Sequence, residues 1–276
     1  MISILPGDIP TPQLHGYLLG AVSPRPICFA STIDAQGNVN LSPYSFFNVF
    51  SAKPPIMVFS PARRVKDNTV KHTLENILET KEVVINIVSY AMVQQMSLSS
   101  TEYPKGVNEF VKAGFTELPS EMVKPPRVAE APVQFECKVN EVISLGNHGG
   151  AGNLIIAEVL KLHMQESILD EKGVIDPLKI DTVARMGGNW YSRAKEGLFE
   201  VPKPLSSLGI GVDALPAPIK NSMILTGNDL GMLGNVEQLP EGAQQFASTA
   251  LEDHQKAHEL LVQGKLQEAW NILIKK

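Results

Sequence analysis

Pro26-Ile27-Cys28-Phe29-Ala30-Ser31-Thr32-Ile33-Asp34-Ala35-Gln36-Gly37-Asn38 is a strand running into a hairpin loop. Ile27, Phe29, Ser31 and Ile33 alternate with Cys28, Ala30 and Thr32, so the strand is apolar on both faces and has to be covered on both. Asp34-Ala35-Gln36-Gly37-Asn38 carries the residue types that reverse a chain between paired strands. A second extended stretch follows over 39–51, with Pro43 as its expected break, and Pro54-Pro55 opens the short apolar strand Ile56-Met57-Val58-Phe59. From Asp67 the period changes: Val70, Leu74, Ile77 and Leu78 share one helical face, with Asp67 or Asn68 as the expected N-cap. Strand alternation returns over 82–88, and 91–99 reads as a short helix. Residues 100–132, interrupted by Pro104, Pro119, Pro125, Pro126 and Pro132, read as a long surface excursion. Two further strands, 133–145 and 154–164, are joined by the glycine-rich loop 146–153. No longer period repeats, which excludes a solenoid or a propeller. Strand-rich halves with helices between them predict a mainly β fold with inserted helices, closed as an antiparallel barrel rather than laid out as a parallel sheet.

The chain has 276 residues, 43% of them hydrophobic and 19% charged, which is a globular composition and excludes wholesale disorder. A formal charge of -5 argues against duplex nucleic acid as a partner. Apolar runs such as 83–88 and 154–157 are far too short to cross a bilayer. The first ten residues have neither the basic patch nor the apolar segment of a secretory signal. Cys28 and Cys137 are the two cysteines, each inside an apolar run, and buried thiols suit a reducing compartment. The expectation is a cytoplasmic protein without membrane or nucleic-acid partners. Val201-Pro202-Lys203-Pro204 reads as a rigid connector, which divides the chain into a barrel over 1–204 and an extension over 205–276. That extension is loop-rich first and mostly helical over 242–275, and is expected to pack on the barrel because it carries little core of its own.

Chemistry concentrates in three segments. Phe59-Ser60-Pro61-Ala62-Arg63-Arg64-Val65-Lys66-Asp67-Asn68-Thr69 joins a buried strand to a helix start, and Lys71 adds a further cation. Free amides at a helix start, cations and hydroxyls together make an anion site, with Ser60, Asn68 and Thr69 as donors and Arg64 or Lys66 as the charge. The plain alternative is a solvated basic loop before a capped helix. In Asn40-Leu41-Ser42-Pro43-Tyr44-Ser45-Phe46-Phe47-Asn48, aromatics interleave with hydroxyls and amides, as a pocket for a flat heterocycle needs. A core strand with an edge kink reads the same way. In Gly146-Asn147-His148-Gly149-Gly150-Ala151-Gly152, glycines permit close approach to a ligand, and His148 can donate a hydrogen bond or a proton. A flexible hairpin tip is the alternative there. Gly209-Ile210-Gly211 has no strand before it, and Pro216 and Pro218 block the helix a dinucleotide fingerprint requires. His254 and His258 have a zinc-compatible spacing but read as part of a solvated helix face. No nucleophile elbow and no activated cysteine is present in the sequence.

Ser23-Pro24-Arg25-Pro26, the 40–48 segment, Pro54-Pro55, Lys66-Asp67-Asn68-Thr69, Gly146-Asn147-His148 and the closing Arg185-Met186-Gly187-Gly188-Asn189-Trp190-Tyr191 occur in an order that resembles the flavin reductase-like family. Its members are FMN-binding split β-barrels, antiparallel and of Greek-key type, and include flavoredoxins and the reductase components of two-component monooxygenases. The resemblance covers roughly 10–195 and leaves the mostly helical C-terminal extension outside. It implies that Ser45, Phe46, Phe47 and Asn48 lie along the isoalloxazine. Ser60, Arg64, Lys66, Asn68 and Thr69 would hold the FMN phosphate and ribityl chain, Arg25 would close the pocket, and His148 would face the ring as the candidate catalytic residue. It also implies a homodimer with sites at its interface, and hydride transfer from NADH or NADPH to flavin, with electrons passed to free flavin or a monooxygenase partner. The alternative is an FMN-holding electron carrier without NAD(P)H turnover. Flavin chemistry is the cofactor's own, which suits a chain with no catalytic triad. Two departures stand out: Asn68 is interposed where many members run Lys-Asp-Thr, leaving two registers of phosphate donor open, and Asn147 replaces a frequent Asp before the histidine.

Overall fold

Why the barrel closes is visible in how its strands are wired. The computed structural model describes residues 1–204 and 208–274. The chain forms two compact units, Met1–Leu198 and Phe199–Lys276. The predicted connector 201–204 falls in the second unit, and 205–207, where the extension was expected to begin, lie outside the described residues.

The first unit opens with helix α1 (Thr11–Ala21). Strands β1 (Cys28–Ile33), β2 (Val39–Tyr44), β3 (Phe47–Ala52) and β4 (Pro55–Phe59) follow, then α2 (His72–Thr80) and β5 (Glu82–Ile87). Helices α3 (Val93–Leu98) and α4 (Glu109–Ala113) and the short pair β6 (Glu117–Leu118) and β7 (Arg127–Val128) break the 100–132 excursion. The long hairpin β8 (Val133–Ser144) and β9 (Asn153–Met164) comes next, with α5 (Pro177–Ile180) and the hairpin β10 (Val183–Gly187) and β11 (Trp190–Arg193) closing the unit.

Seven strands form one antiparallel sheet in the order β2-β1-β5-β8-β9-β4-β3. The two outermost strands, β2 and β3, are joined only by Ser45 and Phe46. Two residues span at most ~7 Å, so the edges of the sheet must meet at that corner, and the sheet curls into a barrel with an unpaired seam. This is the split barrel. Cys28, Ala30, Met57, Phe59, Val83, Ile85, Cys137, Val139, Ile155 and Ala157 alternate along their strands to form one core, which Leu74 and Ile77 of α2 join. The opposite face of β1, Ile27 and Phe29, packs with Leu41, Met96, Phe110 and Val128 in a second core. The two-faced pattern of 26–33 therefore has two partners. Burial pushes the Cys28 thiol well up and the Cys137 thiol up to about 12, so neither is a thiolate at neutral pH.

Buried polar side chains pin the long excursion to the barrel. Glu136 on β8 is fully buried and accepts from the amides of Glu121 (3.0 Å), Met122 (2.5 Å) and Val123 (3.2 Å), with His163 Nε2 at 2.6 Å. Asn86 donates to the Phe29 carbonyl and accepts from the Val128 amide, and the Glu109 carboxylate accepts from the Leu41 amide.

Three expectations are corrected. Pro43 does not break its strand: it pairs with Phe29 inside β2, an edge strand, where a missing N–H is tolerated. Helix α2 begins at His72 and no side chain among the described residues caps it, because the Asp67 carboxylate instead closes a turn onto the Thr69 amide (3.0 Å) and hydroxyl (2.7 Å). Leu78 faces solvent rather than the shared apolar face.

The second unit has a core of its own, contrary to expectation. It contains α6 (Ala217–Lys220), α7 (Gly227–Gly234), α8 (Ala243–Phe246) and the hairpin of α9 (Leu251–Val262) with α10 (Leu266–Leu273). Ile219, Leu233, Ala257, Leu261, Ala269, Trp270 and Leu273 are buried together. His254 and His258 turn to different partners, Ser222 Oγ at 2.8 Å and Asp229 Oδ2 at 2.9 Å. Gly211 leads into a short turn, Val212–Ala214, rather than a long helix. No helix among the described residues is long and apolar enough to cross a membrane.

Candidate functional site

The strand β4 delivers the basic segment to the corner of the barrel beside the seam. Ser60, just past β4, is buried; its amide donates to the Phe46 carbonyl (2.9 Å) and its hydroxyl accepts from the Asn153 amide (3.0 Å). One residue thus ties the exit of β4 to the seam and to the start of β9. Beyond it the segment 63–69 coils on itself, with the Arg64 amide on the Thr69 carbonyl (2.9 Å) and the Asn68 amide on the Arg64 carbonyl (2.9 Å).

Asn68, the interposed residue, takes a left-handed conformation with φ 58°, which asparagine tolerates better than most side chains. Its Oδ1 accepts from Arg63 Nε (2.7 Å) and its Nδ2 donates to the Asn147 carbonyl (2.9 Å), so it clamps this segment to the glycine-rich loop. The main chains of the two loops also pair, Arg63 N to Ala151 O (2.8 Å) and Gly150 N to Arg63 O (3.0 Å). A Cβ on Gly149 would stand 3.0 Å from the Arg64 carbonyl oxygen and from Val65 Cα, and one on Gly152 would stand 2.6 Å from Ser60 Oγ. The glycines therefore permit close approach of one loop to the other. Gly149→Ala is expected to force the loops apart at a cost of about 1–3 kcal/mol in chemical denaturation, since backbone atoms cannot step aside.

Arg64, Lys66 and Lys71 converge. All three point at Glu102, which arrives from the segment after α3: Arg64 Nε at 2.8 Å, Lys66 Nζ at 2.5 Å and Lys71 Nζ at 3.4 Å. Hydrogen bonds from Lys66 and Arg64, with the charge of Lys71, hold the Glu102 carboxyl down to about 2. Arg64 also donates to Thr69 Oγ1 (2.9 Å) and the Val70 carbonyl (2.5 Å), which fixes its guanidinium. Among the described residues, the amides of Val65, Lys66 and Asp67 donate to no protein group.

These cations line a cleft of about 550 Å³. Leu14, His15 and Leu18 of α1 line it as well, with Ala62, Val65 and Gly150. His15 meets Phe46 edge-on, ring centroids 6.1 Å apart, which brings the seam's aromatic to the cleft's apolar wall. The cleft's lining thus combines apolar side chains that can meet a flat ring with cations that can take an anion.

The remaining candidates distribute around it. Phe47 packs against the barrel core and Asn48 is exposed on β3, its Oδ1 accepting from the Val49 amide. Arg25 is buried, with Nε 3.4 Å from Ser45 Oγ and Nη1 donating to the carbonyls of Leu19 and Val22 at the end of α1. Burial and the nearby Arg185 lower its pKa, and its Nη2 has no hydrogen-bond partner among the described residues. His148 is exposed at the tip of the glycine-rich loop, where its carbonyl accepts from the Ala151 amide. Arg64 and Lys66 line the cleft, while Ser60, Asn68 and Thr69 shape the loop around it. Sequence reasoning missed Glu102, and it missed α1, which Pro10 and Pro12 at a helix start could have signalled.

The flavin reductase like domain is matched over residues 20–179, more than half of the chain. This chain belongs to the flavin reductase-like family. A protein of Aquifex aeolicus is 40% identical over 181 residues, 66% of this chain and 90% of that protein. Among solved structures, nitrilotriacetate monooxygenase component B from Bacillus cereus is 28% identical with a TM-score of 0.67, covering 74% of this chain and 98% of that one. A split barrel domain protein from Shewanella frigidimarina is 26% identical with a TM-score of 0.61, covering 71% and 95%. The family match ends at residue 179, so the helical second unit lies outside it.

Proposed function

We propose that the protein binds FMN in the α1-flanked cleft and works as an NAD(P)H:flavin oxidoreductase. The observation that carries this reading is the convergence of Arg64, Lys66 and Lys71 in a cleft that Leu14, Leu18, Ala62 and Val65 also line. The donor set fits a phosphate: three cations, an uncapped helix start at α2 and the unused amides of 65–67. Arg64, Lys66 and Thr69 hold the phosphate end, and Leu14, Leu18 and Phe46 exclude water from the ring end. FMN supplies hydride acceptance from NADH or NADPH when bound. Arg25 and Ser45 stiffen the seam beside the ring, and His148 offers a proton or a hydrogen bond at the loop tip. Electron delivery to free flavin or a monooxygenase partner is the downstream step, a reading supported by the likeness to a monooxygenase component B.

A second copy of the chain completes the site in this proposal. Helix α1 buries none of its residues, and Val22 beside it and Phe50 on the edge strand β3 are 64% and 68% exposed. Apolar surface of that kind marks an interaction face. Sedimentation analysis is expected to return a dimer.

The functional test is a visible spectrum of the protein with FMN, before and after anaerobic NADH and NADPH. Flavin bands are expected to shift on binding and to bleach rapidly with one of the two nucleotides. Bands that bleach only with dithionite would make the protein an electron carrier, and bands that never shift would remove FMN from this cleft.

A further inference from the structure

We propose that Glu102 is an internal competitor for the flavin phosphate, holding Arg64, Lys66 and Lys71 until FMN displaces it and so keeping the flavin exchangeable. The inference rests on the phosphate reading given above and adds to it that flavin behaves as a substrate that comes and goes. One carboxylate gathers the three cations, at 2.8, 2.5 and 3.4 Å, and lies in the wall of the same cleft. Arg63, by contrast, is engaged by Asn68, and Asp67 by Thr69. Among the described residues, Glu102 is therefore the acidic group that stands where an incoming dianion would find its charge partners.

The way Glu102 is mounted allows it to leave. It is 41% exposed and sits between α3 and α4, outside any helix or strand. Its carboxylate can turn into solvent without opening the core. The amides of Val65, Lys66 and Asp67 stay unused while Glu102 is in place, so a phosphate gains donors that the carboxylate does not engage. Each exposed ion pair is weak, but three given up together weaken FMN binding by about tenfold. The exchange also replaces one set of ion pairs by another, so few counterions are released and the salt dependence of FMN binding is shallow.

The test compares FMN with riboflavin, which lacks the phosphate, in fluorescence titrations of the full chain and of Glu102→Gln and Glu102→Ala. The expected result is FMN bound about tenfold more tightly by both variants, released more slowly, and with a steeper salt dependence, while riboflavin binding stays within about twofold. Glutamine keeps the shape of the side chain and alanine removes it, so agreement between them separates charge from local packing. FMN affinity unchanged or weakened in both variants would overturn the proposal, because Glu102 would then be ordering the lysines for the phosphate. If the unaltered protein binds FMN no better than riboflavin, the phosphate reading fails and this inference falls with it, a result visible without any variant.

Discussion

Replacing Arg64 and Lys66 together by alanine is expected to weaken FMN binding about a thousandfold while riboflavin binding changes by no more than about twofold. Each removes one charge-assisted hydrogen bond to the phosphate, worth roughly a ten- to hundredfold change in affinity. The loss is compounded because Glu102 then faces Lys71 alone, leaving more of its negative charge uncompensated at the phosphate end. Lys66→Ala is the cleaner single change: among the described residues its ammonium bonds to Glu102 alone, and the side chain is 66% exposed. Arg64 also holds Thr69 and Val70, so part of its effect reaches the phosphate through the shape of the loop. Parallel titrations with FMN and riboflavin check the prediction, and equal losses for both ligands would move the anion site elsewhere.

Glu136→Ala is expected to cost about 4 kcal/mol of stability at neutral pH, measured by urea denaturation of the full chain. The carboxylate is fully buried, and its removal strands the amides of Glu121, Met122 and Val123 together with His163. A buried donor left without an acceptor costs about 1–3 kcal/mol, and these donors sit on one short turn that can recover part of the loss through water. Burial opposes ionisation of Glu136, but the backbone amides of Met122 and Glu121, with His163 and Val123, outweigh it and hold the carboxyl below its ordinary value. A depressed carboxyl contributes stability that is present above the unfolded pKa and is lost as pH falls through the folded one. Stability of the unaltered protein should therefore fall more steeply below about pH 4.5 than that of Glu136→Gln, whose side chain does not titrate.

The parts of this fold that were legible in the sequence are those whose signal is local. The 26–38 strand and loop and the 133–164 hairpin announced themselves by alternation and turn residues, and both lie in the barrel as read. Helix α1 gave no such signal because it buries no residue, so selection for a core face has left no period in it. Asp67 looked like a helix cap because a short acid before an apolar period is the usual form of one; Thr69 takes its carboxylate instead. In the second unit, the buried set mixes alanines, leucines and a tryptophan among many glycines and prolines, which hides a core behind a loop-like composition.

The candidate site divides along the same line. The cations 63–71 stand together in sequence and are legible as a group. Glu102 is 36 residues from Lys66, in a stretch with no period, and nothing short of the folded chain pairs them. In sequence the glycines of 146–152 suggest room for a ligand, whereas the atoms a Cβ would meet at Gly149 and Gly152 belong to the neighbouring loop.

That docking of loop on loop has an evolutionary side. The contact is made largely by main chain, Arg63 against Gly150 and Ala151, with glycine supplying the clearance. Main-chain pairing is indifferent to side-chain identity, so the frame of the cleft can persist while the tip residues drift. Asn147 engages the frame through its carbonyl, as does His148 within its own turn, and the side chains of both are left free to diverge. Positions 147 and 148 are thus an adjustable cassette on a fixed mount, where descendants of this scaffold can change the tip of the loop without rebuilding the barrel beneath it.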